Sequence, residues 1–117
     1  MTTSKKVNTR ALIQTLRQLS KAMGDDTHAP MADAHAYILT ALAQVRSMYQ
    51  TLLATPSGKR FAQTASIKRG FERAEQELME HLEELVSRGR NTGKPMVESI
   101  GSIDQLASEI SRYRGRF

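Results

Sequence analysis

The strongest constraint in the sequence is an unbroken heptad pattern of apolar residues between residues 30 and 54. Its members recur at alternating spacings of three and four: Met31, Ala34, Ile38, Ala41, Val45, Met48 and Leu52. This spacing predicts one long helix with an apolar seam along one side. At ~1.5 Å per residue such a helix is roughly 36 Å long, so it needs a helical partner of similar length to cover its seam.

A second seam of the same kind follows: Ile67, Phe71, Ala74, Leu78, His81 and Leu85. The break between the two seams contains Pro56, which disfavours helix at the residue before it. Because two long seamed helices are joined by a short break, we predict an antiparallel helical hairpin. Phe61 is out of phase with the second seam, so we expect a kink or restart between residues 61 and 66.

The flanking segments predict smaller elements. Leu12, Leu16, Leu19 and Met23 mark an N-terminal helix that covers the hairpin. Residues 88–101 combine charges, glycines and a proline, which predicts a basic linker, and the tail 112–117 is expected to fray. Ser102 and Gln105 have the form of a capping box and predict that a last helix starts at Ser102.

The predicted fold is therefore all-α: a long antiparallel helical hairpin packed with an N-terminal helix, plus a short C-terminal helix after a basic linker. We divide the chain into a three-helix domain (1–87), the basic linker (88–101) and a short helix with an arginine-rich tail (102–117). No segment approaches the ~20 apolar residues that span a bilayer, and the N-terminus lacks an apolar signal core. We expect a cytoplasmic protein without integral membrane association.

The residue types speak against catalysis. The chain has no cysteine and no phosphate-binding loop, dinucleotide fingerprint or serine nucleophile motif. His81 alone has carboxylates at ligand-like spacings, Glu77 and Glu84, but a di-metal bundle needs Glu-x-x-His pairs and residue 78 is Leu. We interpret His81 as a packed or interface residue, and we expect no catalytic residue, no metal, no cofactor and no enzymatic activity.

The basic residues are the more informative signal. The net charge is +5, and residues 1–73 hold eleven Lys and Arg against four Asp and Glu. The tripeptide Arg-Gly-Arg occurs twice, and in extended form it can enter a narrow minor groove or bind RNA. The candidate residues for binding nucleic acid or an acidic partner are Lys6, Arg10, Arg17, Lys21, Lys59, Arg60, Lys68, Arg69, Arg73, Arg88, Arg90, Arg114 and Arg116. The competing interpretation is a solvated surface with a basic excess.

Three functions fit these observations. The first is an oligomeric accessory or regulatory protein that binds DNA or RNA through basic helix faces and Arg-Gly-Arg arms. The second is an adaptor or inhibitor, of the kind mobile elements encode, that docks on an acidic surface of a host protein. The third is a structural subunit of a homo-oligomer or larger assembly. The architecture resembles that of small bacterial or phage regulators, a likeness that by itself establishes no function.

Overall fold

The computed structural model describes residues 6–114 and 116–117. Over these residues the chain forms five helices and no strand: α1 (Thr9–Asp25), α2 (Met31–Leu53), α3 (Pro56–Gln63), α4 (Ala65–Arg88) and α5 (Lys94–Ser111). The predicted all-α fold is confirmed. No helix within this part of the chain has both the length and the apolar content needed to cross a bilayer.

The helices form an elongated bundle of 53 × 23 × 21 Å in which α1 and α5, α4 and α5, and α2 and α4 are antiparallel. α5 lies between α1 and α4, and α2 packs against α4. Hydrogen bonds between side chains link the antiparallel pairs. Ser20 of α1 bonds to Asp104 of α5, and Arg46 of α2 bonds to Glu75 of α4.

Both predicted seams face one continuous core. Every member of the α4 seam is buried, and six of the seven α2 seam residues are buried with it. The ring of Tyr49, near the end of α2, lies 5.2 Å from that of Phe71, near the start of α4, which joins the two seams there. The antiparallel pairing of the two seamed helices is therefore confirmed.

The expected restart near residue 64 is also observed. Thr55 caps α3 by accepting a hydrogen bond from the Gly58 N–H at 3.1 Å, and Pro56 occupies the first turn. The chain leaves helical geometry at Thr64 and re-enters it at Ala65. Because the helix restarts, Phe61 is fully buried although it lies out of phase with the α4 seam.

The expected start of the last helix at Ser102 is wrong. α5 begins eight residues earlier, at Lys94, with Pro95 in its first turn. Ser102 lies within this helix, buried, and its hydroxyl donates to the Ser99 carbonyl at 2.9 Å instead of capping. Residues 94–101 are helical rather than linker because Met96 and Ser99 are buried between α1 and α4. Buried hydrophobic residues of all five helices belong to one core cluster.

Candidate functional site

The antiparallel arrangement brings cations from four separate segments to one end of the bundle. These segments are the start of α1, α3, the first half of α4 and the residues after α5. We call this surface the basic end and define it by ten exposed residues: Lys6, Arg10, Lys59, Arg60, Lys68, Arg69, Arg73, Arg112, Arg114 and Arg116. Three carboxylates lie in or next to these segments: Glu72 and Glu75 of α4, the latter paired with Arg46 of α2, and Glu109 near the end of α5.

The opposite end has the reverse balance. It holds the end of α1, the start of α2, the second half of α4 and the start of α5. We call it the acidic end, and its carboxylates are Asp25, Asp26, Asp33, Glu77, Glu80, Glu83, Glu84 and Glu98, against the cations Lys21, Arg88, Arg90 and Lys94. Along α4, Lys68 and Arg88 are roughly 30 Å apart, several Debye lengths at physiological salt. The charges of the two ends are therefore largely screened from each other.

A larger share of the cations is ion-paired at the acidic end than at the basic end. The pairs Arg88–Glu84 at 3.1 Å and Lys94–Glu98 at 3.9 Å lie at the acidic end. At the basic end, Arg112 is 3.9 Å from Glu109. Within residues 6–114 and 116–117, the other nine cations of the basic end make no ion pair with a carboxylate. Their charges are thus available to an external anion, and their mutual repulsion opposes folding.

An aromatic cluster holds the last residues against the basic end. The Phe117 ring lies 5.3 Å from Phe61 and 6.1 Å from Tyr113. The Tyr113 hydroxyl is 2.8 Å from that of Ser66, and the Val7 N–H donates to the Phe117 carbonyl at 2.7 Å. The expected fraying of residues 112–117 is wrong for the described residues, because Phe61 supplies an apolar anchor that the seams did not account for. Gly115 lies outside them.

This cluster positions the arginines that follow α5. The Arg116 guanidinium lies 5.9 Å from the centroid of the Tyr113 ring, within reach of a cation–π interaction. Arg112, which the sequence interpretation missed, ends α5 at its C-cap and faces solvent. The sequence did contain a signal, because Arg112, Arg114 and Arg116 alternate with other residues. Since we expected this tail to fray, we did not assign Arg112 to a binding surface.

Four of the predicted binding residues lie away from the basic end. Arg17 and Lys21 continue along α1 towards the acidic end, and Arg88 and Arg90 lie at the acidic end itself. The predicted extended arm at residues 88–90 is wrong. Arg88 ends α4, and Gly89 closes it in a left-handed conformation (φ +69°) with its N–H bonded to the Leu85 carbonyl at 3.0 Å.

A groove between α4 and α5 opens beside Arg69 and Arg73 and encloses about 200 Å³. Arg73 donates to the Gln105 side chain across it at 3.3 Å. Glu109 also lines this groove, and its Oε2 is buried without a hydrogen-bond partner among the described residues. The groove is therefore lined by arginines of α4 as well as by a carboxylate of α5.

His81 is a packed residue, as interpreted from the sequence. It is buried on α4, with Nδ1 2.6 Å from the Ser99 hydroxyl and Nε2 2.9 Å from the Glu98 carboxylate. The order Ser–His–Glu is that of a hydrolytic triad. However, Ser99 is fully buried between α4 and α5, so no substrate reaches its hydroxyl. This network links α4 to α5 and leaves the surface without a nucleophile at this point.

The acidic end carries an electrostatic signature of its own. The Tyr37 hydroxyl donates a hydrogen bond of 2.9 Å to Asp26. That bond, with the negative charges of Asp26 and Asp33, raises the pKa of Tyr37 above its ordinary value.

Nearby, the Asn91 amide donates to the carbonyls of Thr27 and Ala29 at 2.9 and 2.8 Å, which ties the α4–α5 loop to the α1–α2 loop.

Comparison with known proteins assigns the chain to no family. No protein-family model matches the sequence, and no curated protein and no solved structure matches the chain. The function is therefore argued from the charges and contacts of the described residues, because a helical bundle alone hosts many activities.

Proposed function

We propose that the protein is a non-enzymatic accessory or regulatory protein that binds the phosphate backbone of DNA or RNA through its basic end. The observation that carries this proposal is the convergence of ten exposed cations, nine of them without an ion pair among the described residues. Carboxylates elsewhere in the chain do not neutralise them, because those lie in the middle or at the acidic end. A cytoplasmic location remains a prediction.

The size of the basic end supports a nucleic-acid partner. Its cross-section is close to 23 × 21 Å. A surface of this width spans roughly six base pairs of duplex, or about twelve phosphates on the two strands. Ten cations match that phosphate density. Because the cations come from helix surfaces and a docked tail, rather than from a helix that enters a groove, we expect contacts to phosphates and tolerance of sequence.

The test is a salt titration of binding to a short DNA duplex and to RNA, read by fluorescence anisotropy. The decisive variant replaces four basic-end cations: Lys59→Gln, Arg60→Gln, Lys68→Gln and Arg69→Gln. The matched control replaces four cations of the acidic end and loses the same charge: Lys21→Gln, Arg88→Gln, Arg90→Gln and Lys94→Gln.

We expect the basic-end variant to reduce the slope of log K against log salt by about 3 to 4, since each phosphate contact contributes about 0.9. Its affinity at about 100 mM salt should fall ~100-fold or more, whereas the control should change the slope by less than about one. Equal losses in the two variants would assign binding to net charge alone. Failure of the natural chain to bind either nucleic acid at low salt would reject the proposal.

One observation favours the alternative, an adaptor that docks on an acidic surface of another protein. Tyr113 and Phe117 are half-buried beside Arg114 and Arg116, and aromatic residues with arginine are enriched in protein–protein interfaces. This alternative expects a stoichiometric complex that survives nuclease treatment and is weakened by Phe117→Ala. The nucleic-acid proposal expects nuclease treatment to remove the bound material.

A further inference from the structure

A groove with a mostly nonpolar lining opens at the basic end, and we call it the apolar groove. It lies between the start of α1, the end of α2 and the start of α3, and it encloses about 330 Å³. Its nonpolar surface comes from Val7, Ala11, Leu12, Leu52 and Gly58. Among the described residues that line it, Lys6 is the single charged one, and none is a carboxylate. Ligand pockets enclose about 300–1,000 Å³, so the apolar groove is large enough for one small ring system.

Cations lie beside the apolar groove on two of the elements that form it. Lys6 lines the groove, Arg10 precedes Ala11 on α1, and Lys59 follows Gly58 on α3. All three cations are exposed, and none of them makes an ion pair within the described part of the chain. A ligand that uses both features must therefore combine a nonpolar ring with negative charge.

The apolar groove adjoins the aromatic cluster of the last residues. Val7 lines the groove, and its N–H donates to the Phe117 carbonyl at 2.7 Å. Tyr113 and Phe117 are half-buried, so part of each residue is open to solvent. Proteins that bind single-stranded nucleic acid combine cations along the backbone with aromatic side chains on which the bases stack. The basic end therefore has both kinds of surface side by side.

We propose that the partner of the basic end is single-stranded DNA or RNA, with one unpaired base in the apolar groove, a proposal that rests on the phosphate binding proposed as the function. The flanking phosphates lie on Lys6, Arg10 and Lys59. A duplex hides the faces of its bases by stacking, so it would use the cations but not the groove. A single strand splays its bases out and uses both.

The test uses strands that differ only in their bases. Oligo-dT and oligo-U of about twelve nucleotides, within the site sizes of single-strand-binding domains, are each compared with an abasic strand of the same length and backbone. Fluorescence anisotropy measures their binding to the full chain. Because each pair carries the same phosphates, a difference in affinity within a pair comes from the bases.

We expect the natural chain to bind the base-containing strand about tenfold more tightly than its abasic counterpart, since one base contact contributes an effect of that order. A preference in either pair supports the proposal. The pair that shows the larger preference identifies DNA or RNA as the strand that the groove accepts.

Filling the apolar groove separates base binding from phosphate binding. The variant Ala11→Leu with Thr51→Leu enlarges two exposed lining residues, one on α1 and one on α2, without a change of charge. The matched control, Thr40→Leu with Ala43→Leu, makes the same two substitutions at exposed positions of α2 that do not line the groove. Thr51→Leu alone is a second, milder variant should the double variant fail to fold, which circular dichroism would show.

We expect the filled variant to lose the preference for bases, with its affinity for the abasic strand unchanged, and the control to keep the preference. If the natural chain binds base-containing and abasic strands equally and both weaken with salt, phosphate binding stands and the single-strand proposal is overturned. If neither single strands nor duplex bind at low salt, both proposals fail. A base preference that survives in the filled variant would overturn the groove as the base site and leave it to an apolar side chain of a protein partner.

Discussion

The tripeptide Arg-Gly-Arg occurs at both ends of the bundle, and the surroundings of its two copies differ. At the acidic end, Arg88 is paired with Glu84, and Gly89 closes α4. At the basic end, Arg114 and Arg116 make no ion pair within the described residues, and the aromatic cluster holds the segment in place. A short basic motif therefore acquires its electrostatic character from the elements that surround it.

The same contrast holds within α4. Its first half carries Lys68, Arg69 and Arg73, although positive charge near a helix N-terminus opposes the helix dipole by a few tenths of a kcal/mol per charge. Its second half carries four of its six glutamates, Glu77, Glu80, Glu83 and Glu84. This order costs little local stability and aligns the charge of α4 with that of α1, α3 and the last residues. Segregation of charge along the 53 Å axis is thus a property of the whole bundle.

The largest expected effect comes from Phe61→Ala. It distinguishes the role of Phe61 in holding the last residues of the chain from its contribution to overall stability. Phe61→Ala removes a fully buried ring and should lower the free energy of unfolding by about 3–5 kcal/mol. Leu78→Ala, in the middle of α4, should cost about 2–5 kcal/mol. Only Phe61→Ala also frees the residues that carry Arg114 and Arg116, so only it should weaken binding of nucleic acid by the folded protein.

Urea denaturation measures the stability of both variants, and anisotropy under native conditions measures their binding. A loss of less than about 1 kcal/mol for Phe61→Ala would contradict the anchoring role, since deletion of a buried ring costs several times more. Equal binding by the two variants would show that the aromatic cluster does not position the arginines.

The second prediction compares two helical glycines. A Cβ at Gly58 would collide with the Leu52 backbone carbonyl, so Gly58→Ala forces the end of α2 and the start of α3 apart. We expect a loss of about 2–3 kcal/mol, as for other overpacked sites. Gly101 lies within α5 with nothing near its Cβ position, so Gly101→Ala should stabilise the protein by about 0.5–1 kcal/mol. Urea midpoints that move in the same direction would refute this difference.

The third prediction tests the two tripeptides directly. Arg114→Gln with Arg116→Gln should weaken nucleic-acid binding about tenfold at ~100 mM salt and reduce the salt slope by about 2. Arg88→Gln with Arg90→Gln removes the same charge and should change affinity less than about twofold. Anisotropy titrations at several salt concentrations give both numbers. The converse ranking would place the binding surface at the acidic end.

The smallest effect concerns Tyr37. Its hydrogen bond to Asp26 raises its phenol pKa, so Asp26→Asn should lower that pKa towards the ordinary value. Because the folded-state pKa is raised, the stabilising contribution is present below the unfolded-state pKa and is lost as the pH rises through the folded-state value. Ultraviolet titration of tyrosinate absorbance measures the shift. If the Tyr37 pKa were unchanged in Asp26→Asn, Asp26 would not be the cause of the raised pKa.

Local patterns predicted most of the helical framework. The seams of α2 and α4 fixed which sides of those helices are buried, and the phase of Phe61 located the restart near residue 64. The start of α5 was missed because Gly93 and Pro95 serve equally in a loop and in the first turn of a helix. Burial of Met96 and Ser99 decides between the two, and burial is a tertiary property.

The residues themselves determine an all-helical chain, two apolar seams and a charge excess in identifiable segments, because these depend on spacing and composition over a few turns. Only the tertiary structure decided that α5 packs between α1 and α4. It alone also decided that the last residue of the chain, Phe117, packs against Phe61. Those contacts join residues up to about a hundred positions apart in the sequence. Helical periodicity relates only residues within a few turns, so it cannot predict such contacts. They bring dispersed cations together as the basic end, and they leave the two Arg-Gly-Arg tripeptides at opposite ends of the molecule.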